Sequence, residues 1–270
     1  MLLSEYCRHA SMLPPRLVIP YYVDPDPTRQ AELDMAVTLN VATPYLGEII
    51  LACEGPSAAA RVTGILHGHD PAKIHIHTLA ARPTFRDLFC LADDRLLATA
   101  SSEADAARQV TMLINTDIVL GQKVDLAARD LWRESLSGRR VMLTLSRHEL
   151  EGGYEDPVVL RKEVGGGSHD LWGWVGFARL PRHIGGMFMG KFFCDGVFAH
   201  QLWFHQQCLL KNPCIDAHIL HIHRSGIRNY CTSRTHDCVP GQRTGVLHCR
   251  ISDPWREEDT YDDGHWRPFE

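Results

Sequence analysis

Short apolar runs alternate with amphipathic segments along the first half of the chain. Residues 17–23 form a β-rich run, and residues 28–41 (TRQAELDMAVTLNV) then repeat apolar positions at helical spacing, with Thr28 as the expected N-cap. A second apolar run, residues 48–53, comes next. Strand, helix and strand in this order predict the opening βαβ unit of a parallel sheet.

The same alternation continues through the first half and then changes. Three further apolar runs predict strands at residues 73–79, 110–114 and 141–145. A helix is predicted from Thr84, and another before the last of these strands. Glycines and turns then dominate, until a helix is predicted over 193–210 and a strand-like run near 219–223. The pattern predicts an α/β protein whose central sheet is mostly parallel and flanked by helices.

The chain contains no internal repeat, low-complexity tract or obvious linker, which favours a single domain over residues 1–270. Residues 17–145 are its regular α/β half. Residues 146–250 are a less regular half that we expect to face a substrate. Residues 253–270 alternate acids and aromatics and are expected to form a loosely docked tail.

Composition excludes several classes of protein. The 270 residues are 44% hydrophobic and 23% charged, which is typical of a globular protein with a sizeable core. The chain has 28 Lys and Arg against 33 Asp and Glu, a formal net charge of −5, so its overall charge does not favour a nucleic acid partner. Nine cysteines without a C-x-x-C pair predict reduced, mostly buried thiols.

No apolar run reaches the roughly 20 residues that cross a bilayer. The richest run, residues 110–120, is interrupted by Asn115 and Asp117. The first residues lack a charged-then-apolar signal pattern, so the cytoplasm is predicted.

Asn115-Thr116-Asp117 follows the predicted strand 110–114. Because side chains alternate along a strand, Asn115 and Asp117 are expected to point the same way. Oxygen ligands at the carboxyl end of a parallel strand suit Mg²⁺ or Mn²⁺ on a diphosphate. An ordinary Asx turn is the alternative interpretation.

Two further groups of residues carry candidate chemistry. Asp195 opens a predicted helix, whose amino-terminal dipole favours the ionised carboxylate that a general base needs; a plain N-cap is the alternative. His221 and His223 would share one face of a strand and could complete the shell of a cation begun by Asp117, or could be a hydrogen-bonded pair. The H-I-H at 75–77 has no carboxylate beside it and is interpreted as structural.

The order of short motifs over residues 17–230 resembles that of a known family. The motifs are IP at 19–20, RQAEL at 29–33, N-x-x-P-Y at 40–45, NTDIVL at 115–120, SR at 146–147, S-x-D-x-W at 168–172, CD at 194–195, NP at 212–213 and H-x-H-x-S-x-x-R-x-Y at 221–230. As a set they resemble compact glycosyltransferases of the GT-A fold, similar to family 2. The resemblance implies hexosyl transfer with inversion at the anomeric carbon.

The resemblance also implies a donor site over residues 17–145. Asp117 would hold Mn²⁺ or Mg²⁺ on the diphosphate of a UDP- or GDP-sugar, with His221 or His223 completing the metal shell. Asn115 departs from the D-x-D pattern of the family because it brings no charge. The nucleotide base and ribose are expected near Tyr21 and Glu54.

The acceptor side follows from the same resemblance. Asp195 would deprotonate the acceptor hydroxyl, with Asp170 as the competing base. Trp172 and Trp174 are expected to form an apolar platform for the acceptor. A glycan, a lipid-linked sugar, a small molecule or a hydroxylated nucleobase all remain open as acceptors.

Two other functions stay open on the sequence alone. A metal-dependent phosphoester hydrolase would use the histidines with Asp117 or Asp170, but no H-E-x-x-H or P-loop pattern is present. A non-catalytic module that binds sugar or protein would use the same motifs as caps and turns.

Overall fold

A computed structural model describes residues 11–149, 168–191, 194–227, 246–248 and 251. The predicted tail at 253–270, the glycines at 165–167, and Arg228 and Tyr230 of the last motif lie outside the described residues.

Six of the eleven described strands lie close to those predicted at 17–23, 48–53, 73–79, 110–114, 141–145 and 219–223, and the other five were not predicted as strands. The described strands are β1 (Arg16–Tyr21), β2 (Glu48–Glu54), β3 (Ile74–Leu79), β4 (Val110–Ile114), β5 (Ile118–Leu120), β6 (Val141–Leu145), β7 (Arg147–Glu149), β8 (Leu171–Val175), β9 (Leu209–Asn212), β10 (Ile219–His221) and β11 (Val246–His248). The helices are α1 (Pro27–Val41), α2 (Gly55–Ile65), α3 (Phe85–Thr99), α4 (Glu103–Ala106), α5 (Val124–Ser135) and α6 (Cys194–Gln206), and Pro71–Lys73 is a 3₁₀ turn.

Two helix boundaries differ from the prediction. The N-cap of α1 is Asp26 rather than Thr28, because the Asp26 carboxylate accepts from the backbone N–H groups of Thr28 and Arg29. The helix predicted over 193–210 ends at Gln206, and Leu209 begins β9 instead. Apolar residues at the end of a helix and at the start of a strand look alike in a periodic pattern.

The main sheet has the order β11-β9-β6-β8-β4-β1-β2-β3. Strand β8 is antiparallel to both of its neighbours, β4 and β6, and the other pairs are parallel. A small second sheet has the order β5-β10-β7. The α/β architecture with a mostly parallel central sheet flanked by helices is thus confirmed.

Each face of the main sheet is covered by helices, because alternate strand residues point to opposite sides. Leu17 and Ile19 of β1 belong to one apolar cluster, with residues of α1, α2 and α5. Val18 belongs to another, with Phe85 of α3 and Phe198 of α6. Continuous burial of β1 is typical of a parallel strand that is covered on both faces.

Two smaller predictions can be compared with the described residues. Cys53, Cys194, Cys208 and Cys214 are buried and free, and Cys90 is free but exposed. Among the described helices, none combines the length and the apolarity needed to cross a bilayer.

Candidate active site

A cleft of about 810 Å³ lies at the edge of the sheet where the parallel strands end. Strands β1, β2 and β4 are adjacent and parallel, so their carboxyl ends and the turns that follow meet there. The cleft is lined by all the candidate catalytic, nucleotide-binding and metal-binding residues of the sequence, which are Tyr21, Glu54, Asn115, Asp117, Asp170, Asp195, His221 and His223. Chain folding therefore brings together side chains that are far apart in the sequence.

Asn115, Thr116 and Asp117 form a turn between β4 and β5. The backbone N–H of Ile118 closes this turn by donating to the carbonyl of Asn115 at 3.1 Å. Thr116 Oγ1 donates to the carbonyl of Pro20 at 2.5 Å and ties the turn to the end of β1. Strand alternation does not apply to residues 115 and 117, because β4 ends before the turn, although both residues line the cleft.

Asp117 lies between two cationic side chains. Arg29 of α1 pairs with Asp117 Oδ2, and His221 Nε2 is 3.2 Å from the same oxygen. Burial alone would raise the pKa of Asp117, but His221 and Arg29 outweigh it and hold this pKa well below its usual range. Asp117 is therefore a permanent anion in the cleft.

His221 is held from its other side by a second carboxylate. Its Nδ1 lies 2.7 Å from Glu149 Oε2 in β7, which is parallel to β10. Burial would lower the pKa of His221, but Asp117 and Glu149 outweigh it and raise it to about 9. Burial likewise opposes ionisation of Glu149, yet His221 and Arg147 lower its pKa to about 2. The hydrogen bond that His221 Nδ1 donates to Glu149 orients the imidazole so that Nε2 faces Asp117.

Asp117, His221 and His223 can each offer one ligand atom, and these atoms lie within 4.8 Å of one another. Both ring nitrogens of His223 are buried without a hydrogen-bond partner among the described residues. Burial and the charges of Arg29 and His221 lower the pKa of His223, which leaves its imidazole neutral near pH 7. One carboxylate and two imidazoles fit a divalent cation, which would displace the Nε2 proton of His221, and they suit Mn²⁺ better than Mg²⁺, which prefers oxygen ligands.

Asp170 lies before β8 and is 4% exposed. Its Oδ1 accepts from Asn115 Nδ2 at 2.6 Å, and its Oδ2 is 3.2 Å from Arg147 Nη1. The amide of Asn115 thus contacts Asp170 rather than the group formed by Asp117, His221 and His223. Two donors fix Asp170 in one orientation.

Asp195 lies in the first turn of α6, as the sequence predicts. Its Oδ2 accepts from the backbone N–H of His169 at 2.9 Å. Burial, and next the charge of Asp170, raise the pKa of Asp195 to about 6. The expected effect of the helix amino terminus is present in its backbone N–H donors, but burial and the neighbouring carboxylate outweigh it.

The predicted nucleotide side of the cleft contains Tyr21 and Glu54. Tyr21 is 1% exposed, and its hydroxyl donates to Asp34 Oδ1 at 2.5 Å, so its polar group is already engaged. Glu54 is half-buried at the N-cap position of α2, where its side chain makes no capping hydrogen bond. Tyr22 is half-buried, lines the same wall and offers an aromatic surface. The sequence analysis gave it no role distinct from that of Tyr21.

The apolar acceptor platform expected from Trp172 and Trp174 is wrong. Both side chains are buried, and neither lines the cleft. Trp172 packs edge-on against Phe198 at 4.9 Å between ring centroids, and Trp174 stacks on Phe89 at 4.1 Å. Strand β8 lies inside the main sheet, so both of its faces are covered.

Three residues that contact the candidate site residues were missed as functional by the sequence analysis. Arg29 and Arg147 are members of the quoted motifs at 29–33 and 146–147, so a signal was present, although no role was attached to it. Glu149 carries no motif. Its only signal is its spacing of two from Arg147, which places both side chains on one face of a strand.

Comparisons with known proteins give distant likenesses only. No family model and no curated protein matches the chain. A solved structure of GalNAc-T7 with UDP, GalNAc and Mn²⁺ is similar at 12% identity and a TM-score of 0.35, over 51% of this chain and 24% of that one. The 4-diphosphocytidyl-2C-methyl-D-erythritol synthase of Anaerococcus prevotii is similar at 11% identity and a TM-score of 0.39, over 84% of this chain and 94% of that one. At these levels neither comparison assigns a reaction to this chain.

Proposed function

We propose that the chain is a glycosyltransferase that moves a hexosyl group from a UDP- or GDP-sugar to an acceptor hydroxyl, with inversion at the anomeric carbon. One observation carries the proposal: a single cleft holds both a cation-ligating set, Asp117 with His221 and His223, and a separate carboxylate pair, Asp170 with Asp195. Glycosyl transfer needs both, because negative charge develops on the departing diphosphate while the acceptor loses a proton.

The first set serves the leaving group. Asp117, His221 and His223 would hold a divalent cation, which when bound supplies positive charge to the diphosphate. Arg29 and Glu149 keep Asp117 and His221 in place through the contacts described above. Because this part of the cleft is largely buried, its charges act in a medium of low dielectric and interact strongly with a bound diphosphate.

The second set serves the acceptor. Asp195 takes the proton of the acceptor hydroxyl as that oxygen bonds to the anomeric carbon, and the bond from this carbon to the diphosphate breaks with its electron pair on the diphosphate. Asp170 is less suited to this step, because Asn115 and Arg147 already engage both of its oxygens. We therefore assign Asp195 as the base and Asp170 as its neighbour that raises its proton affinity.

The nucleotide is proposed to lie along the carboxyl ends of β1 and β2. Tyr22 offers a ring for the base, and Glu54 offers a carboxylate that can accept from the hydroxyl groups of ribose. This arrangement leaves the diphosphate near the 115–117 turn, within reach of the cation-ligating side chains.

Ligand-dependent thermal shifts test this proposal directly. A ligand that binds only the folded state raises the apparent stability, so the protein is screened with nucleotide sugars of different bases, with and without Mn²⁺. We expect one nucleotide sugar to raise Tm, and to do so more strongly with Mn²⁺. Zn²⁺ and Fe²⁺ belong in the screen, because the same ligand set accepts them.

Product analysis separates the three candidate functions. A glycosyltransferase should release the nucleoside diphosphate slowly from its donor without an acceptor, and faster once an acceptor sugar is added. A hydrolase would instead cleave simple phosphate esters at a rate that no acceptor changes. A binding module would raise Tm with a sugar and release no product at all.

A further inference from the structure

Glu32 of α1 is an ion-paired carboxylate that does not line the cleft. It contacts Arg29, which does line the cleft, and Ser225, which lies two residues after His223. Its Oε2 accepts from Arg29 Nη1 at 3.0 Å and from the hydroxyl of Ser225 at 2.9 Å. Its Oε1 accepts from the backbone N–H of Ser225 at 2.7 Å. Glu32 is 5% exposed, so these bonds are shielded from water and are strong for hydrogen bonds in a protein.

Arg29 extends the contacts of Glu32 to both sides of the candidate cation site. The same Nη1 that pairs with Glu32 also donates to the carbonyl of Ile222 at 3.0 Å, and the other terminal nitrogen pairs with Asp117. The backbone N–H of Ile222 in turn donates to the carbonyl of Asp117 at 2.8 Å. Glu32 thereby fixes the guanidinium of Arg29, which contacts the proposed ligand Asp117 and also Ile222, the residue before the proposed ligand His223.

His223 depends on these contacts more than the other ligands do. Its ring nitrogens have no hydrogen-bond partner in the described part of the chain, whereas His221 is held by Glu149. Its ring lies parallel to that of His221, with 5.0 Å between centroids, and stacking alone does not fix which nitrogen faces Asp117. The position of His223 therefore follows from its chain neighbours Ile222 and Ser225, which α1 holds on either side.

We infer that Glu32 and Ser225 are positioning residues for the cation site: together with Arg29 they tie the chain that carries His223 to helix α1 and so set the affinity of the site for a divalent cation. This inference rests on the proposed function only for the existence of the cation site. Partners that orient metal ligands without touching the metal change metal affinity by about ten- to a hundredfold when they are replaced.

Binding of Mn²⁺ alone tests this inference on the full chain. Titration calorimetry and the electron paramagnetic resonance spectrum of bound Mn²⁺ are compared for the unchanged protein, Glu32→Gln, Ser225→Ala and Ser225→Thr. The matched control is Glu48→Gln, since Glu48 is also ion-paired, to Arg16 and Arg95, but lies at the opposite end of β2 from the cleft.

We expect Glu32→Gln to weaken Mn²⁺ binding about tenfold or more and to alter the resonance spectrum. Ser225→Ala should weaken binding less, because it removes one bond, and Ser225→Thr should restore it by returning the hydroxyl. Glu48→Gln should change the folding stability but leave the Mn²⁺ affinity unchanged.

Equal Mn²⁺ affinity in Glu32→Gln and the unchanged protein overturns the inference and leaves the proposed function standing. Should Glu32→Gln fail to fold, Ser225→Ala decides, because undiminished binding by that variant contradicts the inference equally. Weakened Mn²⁺ binding in these variants, combined with no response to any nucleotide sugar, supports the inference and rejects the proposed function. Absence of Mn²⁺ binding by the unchanged protein rejects the cation site and the inference with it.

Discussion

Asp117 and Asp195 are the same amino acid in one cleft, yet their surroundings differ in sign. Asp117 lies between Arg29 and His221, and these cations keep its pKa low despite burial. Asp195 is buried beside another carboxylate, Asp170, and burial and then the charge of Asp170 raise its pKa to about 6, although backbone N–H groups donate to it. The first environment suits a permanent anion that holds a cation, and the second suits a group that takes up a proton near neutral pH.

The comparison shows that the burial and charged neighbours of a carboxylate, rather than its residue type, decide whether it suits cation binding or proton transfer. Arg147 lies between the two groups, since it pairs with both Glu149 and Asp170. Glu149 belongs to the cation side through His221. Side chains of alternating charge thus connect the cation-ligating residues with the pair Asp170 and Asp195. The pKa of Asp117 is nevertheless lowered and that of Asp195 raised.

The largest expected effect is that of Asp117→Ala. Because this change removes the anion that the proposed cation needs, turnover should fall by about a thousandfold or more. The near-ultraviolet circular dichroism spectrum should stay that of a folded protein. Transfer at the original rate by this variant would refute the assignment of Asp117. Asp125→Asn, at a carboxylate of α5 that pairs with Arg129 outside the cleft, is the control.

Asp195→Asn should separate binding from transfer. Without a proton acceptor, acceptor transfer should fall on the order of a hundred- to a thousandfold, while the donor still raises Tm as before. Because burial makes the ionised Asp195 unfavourable, the free energy of unfolding at pH 8 should not decrease. Undiminished acceptor transfer by this variant would move the base to Asp170.

The pH profile should report the raised pKa of Asp195. We expect kcat/KM to decline below pH 6, by about tenfold per pH unit, because the protonated carboxyl cannot accept a proton. Stability should respond in the opposite sense: a carboxyl whose folded pKa is raised stabilises the fold at low pH, and this contribution is lost as pH rises from about 4 to about 6. A profile that is flat between pH 5 and 8 would contradict the assignment.

The smallest effect is expected from Asn115→Asp, which restores two acids to the 115–117 turn. Since Asn115 donates to Asp170 at 2.6 Å, the new carboxylate would place a like charge beside Asp170 where Asn115 supplies a donor. We expect the acid limb of the pH profile to move upward and kcat near pH 7 to decrease severalfold. Stronger Mn²⁺ binding without a shifted pH profile would instead place residue 115 on the cation side. Asn115→Ser, which adds no charge, is the control.

Much of the fold follows from local patterns. The apolar runs 110–114 and 141–145 are strands with the predicted bounds, because a buried strand needs consecutive apolar residues and its neighbours supply turns. Predicted helix boundaries are wrong at two places. One depends on which polar residue caps the helix, as at Asp26, and the other on apolar residues that suit a helix end and a strand start equally, as at Leu209.

The sequence by itself determined which residue types are available for chemistry and that Asn115 and Asp117 follow a buried strand. Only the tertiary structure decided that Asn115 faces Asp170, that Arg29 and His221 flank Asp117, and that Trp172 lies in the core. These pairings join residues far apart in the chain, and they depend on the strand order of the sheet, which local periodicity does not encode. For the same reason the contrasting pKa values of Asp117 and Asp195 belong to the fold, since burial and neighbouring charges exist only once the chain has packed.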